Sequence, residues 1–183
     1  MFIQTEQTPN PATLKFLPGC PVMTSGTANF TSLEAASISP LAQRLFSLRG
    51  VTSVFLGTDF VTVTKIEEDD WYRLKPEILA IIMEHFTAGR PVLLGNSGSN
   101  AGTSEEDDDE VVAQIKELLE TRVRPAVAQD GGDIIFHDFT DGIVYLHMQG
   151  SCSGCPSSTA TLKAGIENML RHYIPEVVEV RAV

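Results

Sequence analysis

Helical apolar periodicity alternating with short β-rich runs, and one stretch from which apolar residues almost vanish, predict an α+β protein. The expected form is two small α/β-sandwich-type domains joined by a flexible acidic Gly/Ser linker. The chain of 183 residues exceeds the usual single-domain length of roughly 100–150, which fits two compact units. The break is GNSGSNAGTSEEDDDE, residues 95–110. Its Gly/Ser half has nothing to pack, and its acids repel one another while suiting the positive end of a following helix dipole. A calcium loop of the EF-hand kind needs alternating carboxylates around a central glycine, and this run has neither. Domains are therefore expected at 1–94 and 110–183, with 95–109 as the tether.

In the first domain, Phe2–Thr5 and Thr13–Leu17 read as extended segments on either side of Thr8-Pro9-Asn10-Pro11, a hairpin-like opening. Ser39 as cap, Pro40 at the first helical position and Leu41, Leu45 and Leu48 at helical spacing predict a short helix ended by Gly50. Strands over Val51–Leu56 and Phe60–Lys65 flank Gly57-Thr58-Asp59. A longer helix then carries Trp71, Leu74, Ile78, Ile82 and Phe86 on one face.

In the second domain, Val111, Val112, Ile115, Leu118, Leu119 and Val123 recur with helical period up to the break Asp130-Gly131-Gly132-Asp133. Strands over Asp133–Phe139 and Ile143–Gln149 surround the turn Thr140-Asp141-Gly142. They lead directly into Ser151-Cys152-Ser153-Gly154-Cys155-Pro156. A helix with Leu162, Ile166, Met169, Leu170 and Tyr173 on its apolar face closes near Pro175, before the strand-like Val177–Val183. The predicted order is helix, strand, strand, helix, strand.

Composition narrows the function classes. With 43% hydrophobic and 20% charged residues, no apolar run approaches the ~18 residues of a membrane-spanning helix, so no membrane partner is expected. A net charge of -11 opposes nucleic-acid binding, which draws on Lys and Arg displacing counterions. Three cysteines are too few for a disulfide framework and fit a reducing compartment. The opening MFIQTEQTPNPATLKF has no apolar core behind a basic start and no Arg-rich transit character, so the expected location is the cytoplasm.

Chemistry concentrates at Cys152 and Cys155. A thiol near a helix N-terminus meets the positive end of the dipole and unpaired N–H groups, both of which favour the metal-binding thiolate. Two intervening residues let both sulfurs face one point, Gly154 permits a tight turn, and Pro156 can begin the helix without sacrificing a needed N–H. Iron, zinc, dithiol redox chemistry and plain burial all use such a pair, so the motif alone leaves them open. The common iron-sulfur clusters take four cysteine thiolates, and one chain offers two here. Cys20 follows Pro18-Gly19 in the other domain, and nothing in the sequence brings it to the pair. Two chains would then present Cys152 and Cys155 to one shared cluster near their interface, an arrangement suited to a carrier.

LLETRVRPAVAQDGGDI followed by GSCSGCPSSTATLKAGIENML resembles the C-terminal domain of the NifU-like, or Nfu, family. The likeness rests on Arg124-Pro125, Asp130-Gly131-Gly132-Asp133 and Gly150 through Ser158 together. Residues 1 to 94, beginning FIQTEQTPNPATLKFLPG, are similar to the N-terminal domain that accompanies this module. The resemblance implies a scaffold or carrier that holds a [4Fe-4S] cluster between two protomers, with Cys152 and Cys155 as ligands. It further implies an upstream cluster donor, apo iron-sulfur client proteins, and a homodimer formed on cluster binding. By the same likeness the location is cytoplasmic for a bacterial chain and the mitochondrial matrix for a processed eukaryotic form.

Other polar residues have plainer readings. His137 and His147, in the predicted hairpin, could complete a Cys2His2 zinc site, but strand alternation equally sets them on a solvated face. Asp130 and Asp133, beside glycines, are expected to shape a turn and cap a helix. No Ser-His-Asp set, phosphate-cradling loop or carboxylate pair emerges, so the sequence predicts a binding protein and not an enzyme. The alternative is a thiol-disulfide oxidoreductase in which Cys152 attacks and Cys155 resolves. Such sites belong to a βαβ pattern, and a helix and hairpin before the pair suggest another order.

Overall fold

The computed structural model describes residues 2–94, 109–151 and 156–183, with the backbone alone at 156–159. Nearly all of the expected linker, and both Cys152 and Cys155, lie outside the described residues. The chain divides into two compact units, Met1–Gly102 and Thr103–Val183, each an α+β fold with its own sheet and core.

The first unit is a five-stranded antiparallel sheet in the order β1-β2-β5-β4-β3. Its strands are β1 (Gln4–Gln7), β2 (Thr13–Leu17), β3 (Ala28–Phe30), β4 (Val51–Leu56) and β5 (Val61–Lys65). β1 and β2 form the opening hairpin, with Thr5 opposite Phe16. β3 pairs with β4 but is only three residues long, too short to show an alternating pattern in sequence. Phe60, expected to start β5, instead folds back so that its ring lies 5.9 Å from that of Phe55. Gly57 makes room for this, since a Cβ there would come within 2.3 Å of the Phe60 ring.

Two helices cover the sheet. In α1 (Pro40–Phe46) the Ser39 hydroxyl accepts from the Ala42 N–H at 3.2 Å and donates to the Val92 carbonyl at 2.6 Å. One buried hydroxyl thus both caps the helix and ties down the chain leaving α2 (Trp71–Thr87). Asp70 caps α2 by accepting from the Tyr72 N–H at 3.0 Å. Leu41, Leu45, Leu74, Ile78 and Ile82 meet Phe16, Val54, Leu56, Val61 and Val63 in the core.

The second unit follows the predicted order, with an interruption in its first helix. α3 (Glu110–Leu118) passes through one widened π turn, Leu119–Val123, into α4 (Arg124–Gln129). Pro125 supplies the reason: it has no N–H to continue the ladder, and its ring clashes with the carbonyl four residues back in a regular helix. The turn before it widens, and the Arg124 N–H reaches the Leu119 carbonyl five residues back. The helix ends where Gly131 takes a φ of 79°, which an L-residue adopts at a cost.

β6 (Gly132–Thr140) and β7 (Ile143–Gly150) form an antiparallel hairpin. Asp141 and Gly142 have φ of 53° and 77°, the left-handed pair that a type I′ turn requires. α5 (Pro156–Tyr173) then leads to β8 (Glu179–Ala182), which pairs parallel to β7 in the order β6-β7-β8. Alternate residues Val144, Leu146 and Met148 of β7 join Ile115, Leu119, Val127, Ile166 and Leu170 of the helices in the core. Among the described residues, no helix is long and apolar enough to cross a membrane.

Candidate functional site

The residues that flank the cysteine pair are fixed on both sides. β7 ends at Gly150, paired with Gly132 and held at a φ of 67°, and α5 begins at Pro156. Between them Ser151 is 1% exposed. Its N–H donates to the Gly131 carbonyl at 3.2 Å, and its hydroxyl donates to the Asp130 carbonyl in a short hydrogen bond. Both acceptors belong to the corner at which α4 turns into β6. The Asp130 and Gly131 N–H groups in turn donate back to Val127 and Ala128, at 3.0 Å each. Cys152 is the next residue along the chain and Cys155 immediately precedes α5.

The same corner carries a buried ion pair. Asp133, opposite Gln149 at the start of β6, has a side chain only 4% exposed. Its carboxylate accepts from Arg124 Nε and Nη2 at 2.9 Å each and from the Ile134 N–H at 2.8 Å. Arg124 also reaches Glu120, one helical turn back, at 3.1 Å. The hydrogen bond to Asp133, followed by the charges of Asp133 and Glu120, raises the Arg124 pKa above its ordinary value, so its charge is permanent. This fork-to-fork pair locks the π-turn end of the helix to the strand that lies beside the end of β7.

Asp130 and Asp133 thus play different parts. Asp133 is the buried partner of Arg124, while Asp130 enters through its backbone. His137 sits at a bulge where the β6–β7 register shifts, and it is exposed. His147 is exposed with Nδ1 3.1 Å from the Val183 carbonyl oxygen. Both occupy the solvated face that alternation allows. Among the described residues, no group of three or more His, Cys, Asp or Glu side chains could hold a metal ion. Cys20 is free and half-buried in the first unit, in a shallow hollow with Phe2, Leu17 and Asp59.

One expectation changes. Because β8 pairs parallel to β7, the sequence β7–α5–β8 is a βαβ unit with the cysteine pair at its first connection. Strand order therefore does not separate the metal and dithiol readings. The expectation failed because only long-range pairing, absent from local pattern, shows which strand lies beside which. Sequence reading also missed Ser151 and the Arg124–Asp133 pair as parts of the site. Their signal is an opposite charge nine residues away across a Gly-Gly corner, and no local spacing rule reports it.

Comparison with known proteins agrees with this division of the chain. Residues 3–89 match the family model described as scaffold protein Nfu/NifU N terminal, and residues 115–181 match the NifU-like domain. The human "NFU1 iron-sulfur cluster scaffold homolog, mitochondrial" is 57% identical over 184 residues, covering 100% of this chain and 72% of that protein. The Drosophila willistoni protein of the same description is 55% identical, covering 100% of this chain and 64% of that one. "NifU-like protein 4, mitochondrial" of Arabidopsis thaliana is 55% identical, covering 97% and 64%. The chain thus spans about two thirds of the length of these relatives. With both domain models matched in order and identity sustained across both units, the chain belongs to the NifU-like (Nfu) family of scaffold proteins.

Proposed function

We propose that this chain is an iron-sulfur cluster scaffold and carrier. In this reading Cys152 and Cys155 of each of two protomers hold one [4Fe-4S] cluster, which is then handed to apo iron-sulfur proteins. The observation that carries the reading is the 57% identity, across the whole chain, to a protein described as an iron-sulfur cluster scaffold homolog. Coordination number supports the dimer, since each chain brings two thiolates to a cargo that takes four. Residues 1–94 and 110–183 act as separate domains on a 95–109 tether, and the first has no part in ligation. The descriptions of the relatives favour the mitochondrial location for a processed form of this protein.

Anaerobic reconstitution with iron and sulfide tests it. The expected product is brown, contains about two irons per chain and is larger than the apo form. A monomeric product with its cluster intact overturns bridging. The βαβ placement of the pair keeps one competitor in view, a dithiol exchanger. A metal-free chain that reduces disulfides at a rate set by Cys152 would establish that competitor instead.

A further inference from the structure

We propose that Ser151 is a positioning residue for the cysteine pair, acting as a brace between the end of β7 and the α4–β6 corner. This rests on the scaffold reading above. The hydroxyl is almost wholly buried at the end of β7, yet it contributes nothing to the sheet ladder and instead donates to the Asp130 carbonyl. The Ser151 N–H meets the Gly131 carbonyl beside it. Two donors of one residue thus engage two successive carbonyls of another segment, which fixes both the position and the rotation of the chain at residue 151.

The corner that receives these bonds is itself rigid. Its carbonyls belong to the capped end of α4, and the Arg124–Asp133 pair ties the helix to β6 two residues further on. Gly131 and Gly150, both at positive φ, let the two segments come together. Metal ligands gain from an anchored neighbouring backbone, because less conformational freedom is then lost when metal binds. A Ser or Thr hydroxyl can make this bond, whereas Ala cannot.

The test uses the full chain, reconstituted anaerobically, as wild type, Ser151→Ala and Ser151→Thr. Ser151→Ala is expected to lose its cluster about 10- to 100-fold faster than wild type, the range seen when a group supporting a metal ligand is removed. The visible circular dichroism and reduction potential of the bound cluster should shift with it, and Ser151→Thr should restore both towards wild type. Equal lifetimes and spectra in wild type and Ser151→Ala overturn the brace, as does a Ser151→Thr chain that behaves like Ser151→Ala. A wild-type chain that takes up no cluster is a different result and fails the scaffold reading. If Ser151→Ala does not fold, amide exchange in the apo wild type decides. Protection of the Ser151 N–H supports the brace, and exchange at the rate of an open chain overturns it.

Discussion

Replacing Arg124 with Met removes the guanidinium while keeping most of the side-chain volume, and it takes from the buried Asp133 carboxylate both hydrogen bonds that Arg124 donates. Breaking a buried pair from one side costs about 3–5 kcal/mol, because the surviving charge loses its counter-ion while still shielded from water. Arg124 is 31% exposed, which lets some water replace it, so the low end, about 3 kcal/mol, is expected. The bond to the well-exposed Glu120 adds little. For a domain of this size each kcal/mol moves the melting midpoint by about 4–8 °C, giving a fall of about 12–24 °C. Urea titration of the apo chain provides the assay, with an internal control. The single tryptophan, Trp71, lies in the first unit, so its fluorescence should report an unshifted transition while far-ultraviolet circular dichroism shows the second unit unfolding earlier. Adding Asp133→Asn should recover more than half of the loss, since the stranded charge disappears. A circular-dichroism midpoint within about 0.5 kcal/mol of wild type, or a double variant no better than the single one, would refute the reasoning.

Other expectations can be checked alongside. Cys152→Ser and Cys155→Ser should each abolish stable cluster binding while Cys20→Ser leaves it intact; iron retained at the wild-type level in either of the first two removes that residue from the site. His85 is fully buried in α2. Burial pushes its pKa below the ordinary value, and the charges of Arg44 and Arg90 push the same way against the backbone at Pro91 and Arg90. The unfolded chain therefore takes up the proton first, so the first unit should be most stable above about pH 6.5 and weaken as the pH falls towards the lowered folded value. Trp71 fluorescence in urea at pH 7.5 and 5.5 measures this, and a His85→Leu chain that keeps the full difference would assign it elsewhere. Gly142→Ala places a Cβ 2.8 Å from Val178 Cγ2 and 3.0 Å from the Glu176 carbonyl at a φ of 77°. It should cost more than about 1 kcal/mol in a urea titration followed by far-ultraviolet circular dichroism, and an unchanged second-unit midpoint would contradict the described turn.

Sequence by itself determined the parts of this protein that local physics controls. Ser39 and Pro40 mark the start of α1, Asp141-Gly142 marks the β6–β7 turn, and the β4 range is the predicted one, because caps, turns and apolar period act within a few residues. The candidate ligands were legible for the same reason, since Cys152 and Cys155 are their own motif. Tertiary structure decided what depends on distant segments meeting. β3 gains its identity from β4, the π turn from the conflict of Pro125 with a regular helix, and the βαβ unit from β8 lying beside β7. The buried Arg124–Asp133 pair and the Ser151 brace belong to this second class. A charge or hydroxyl loses its water only when the chain folds over it, and the partner that compensates is chosen by packing and not by spacing along the sequence.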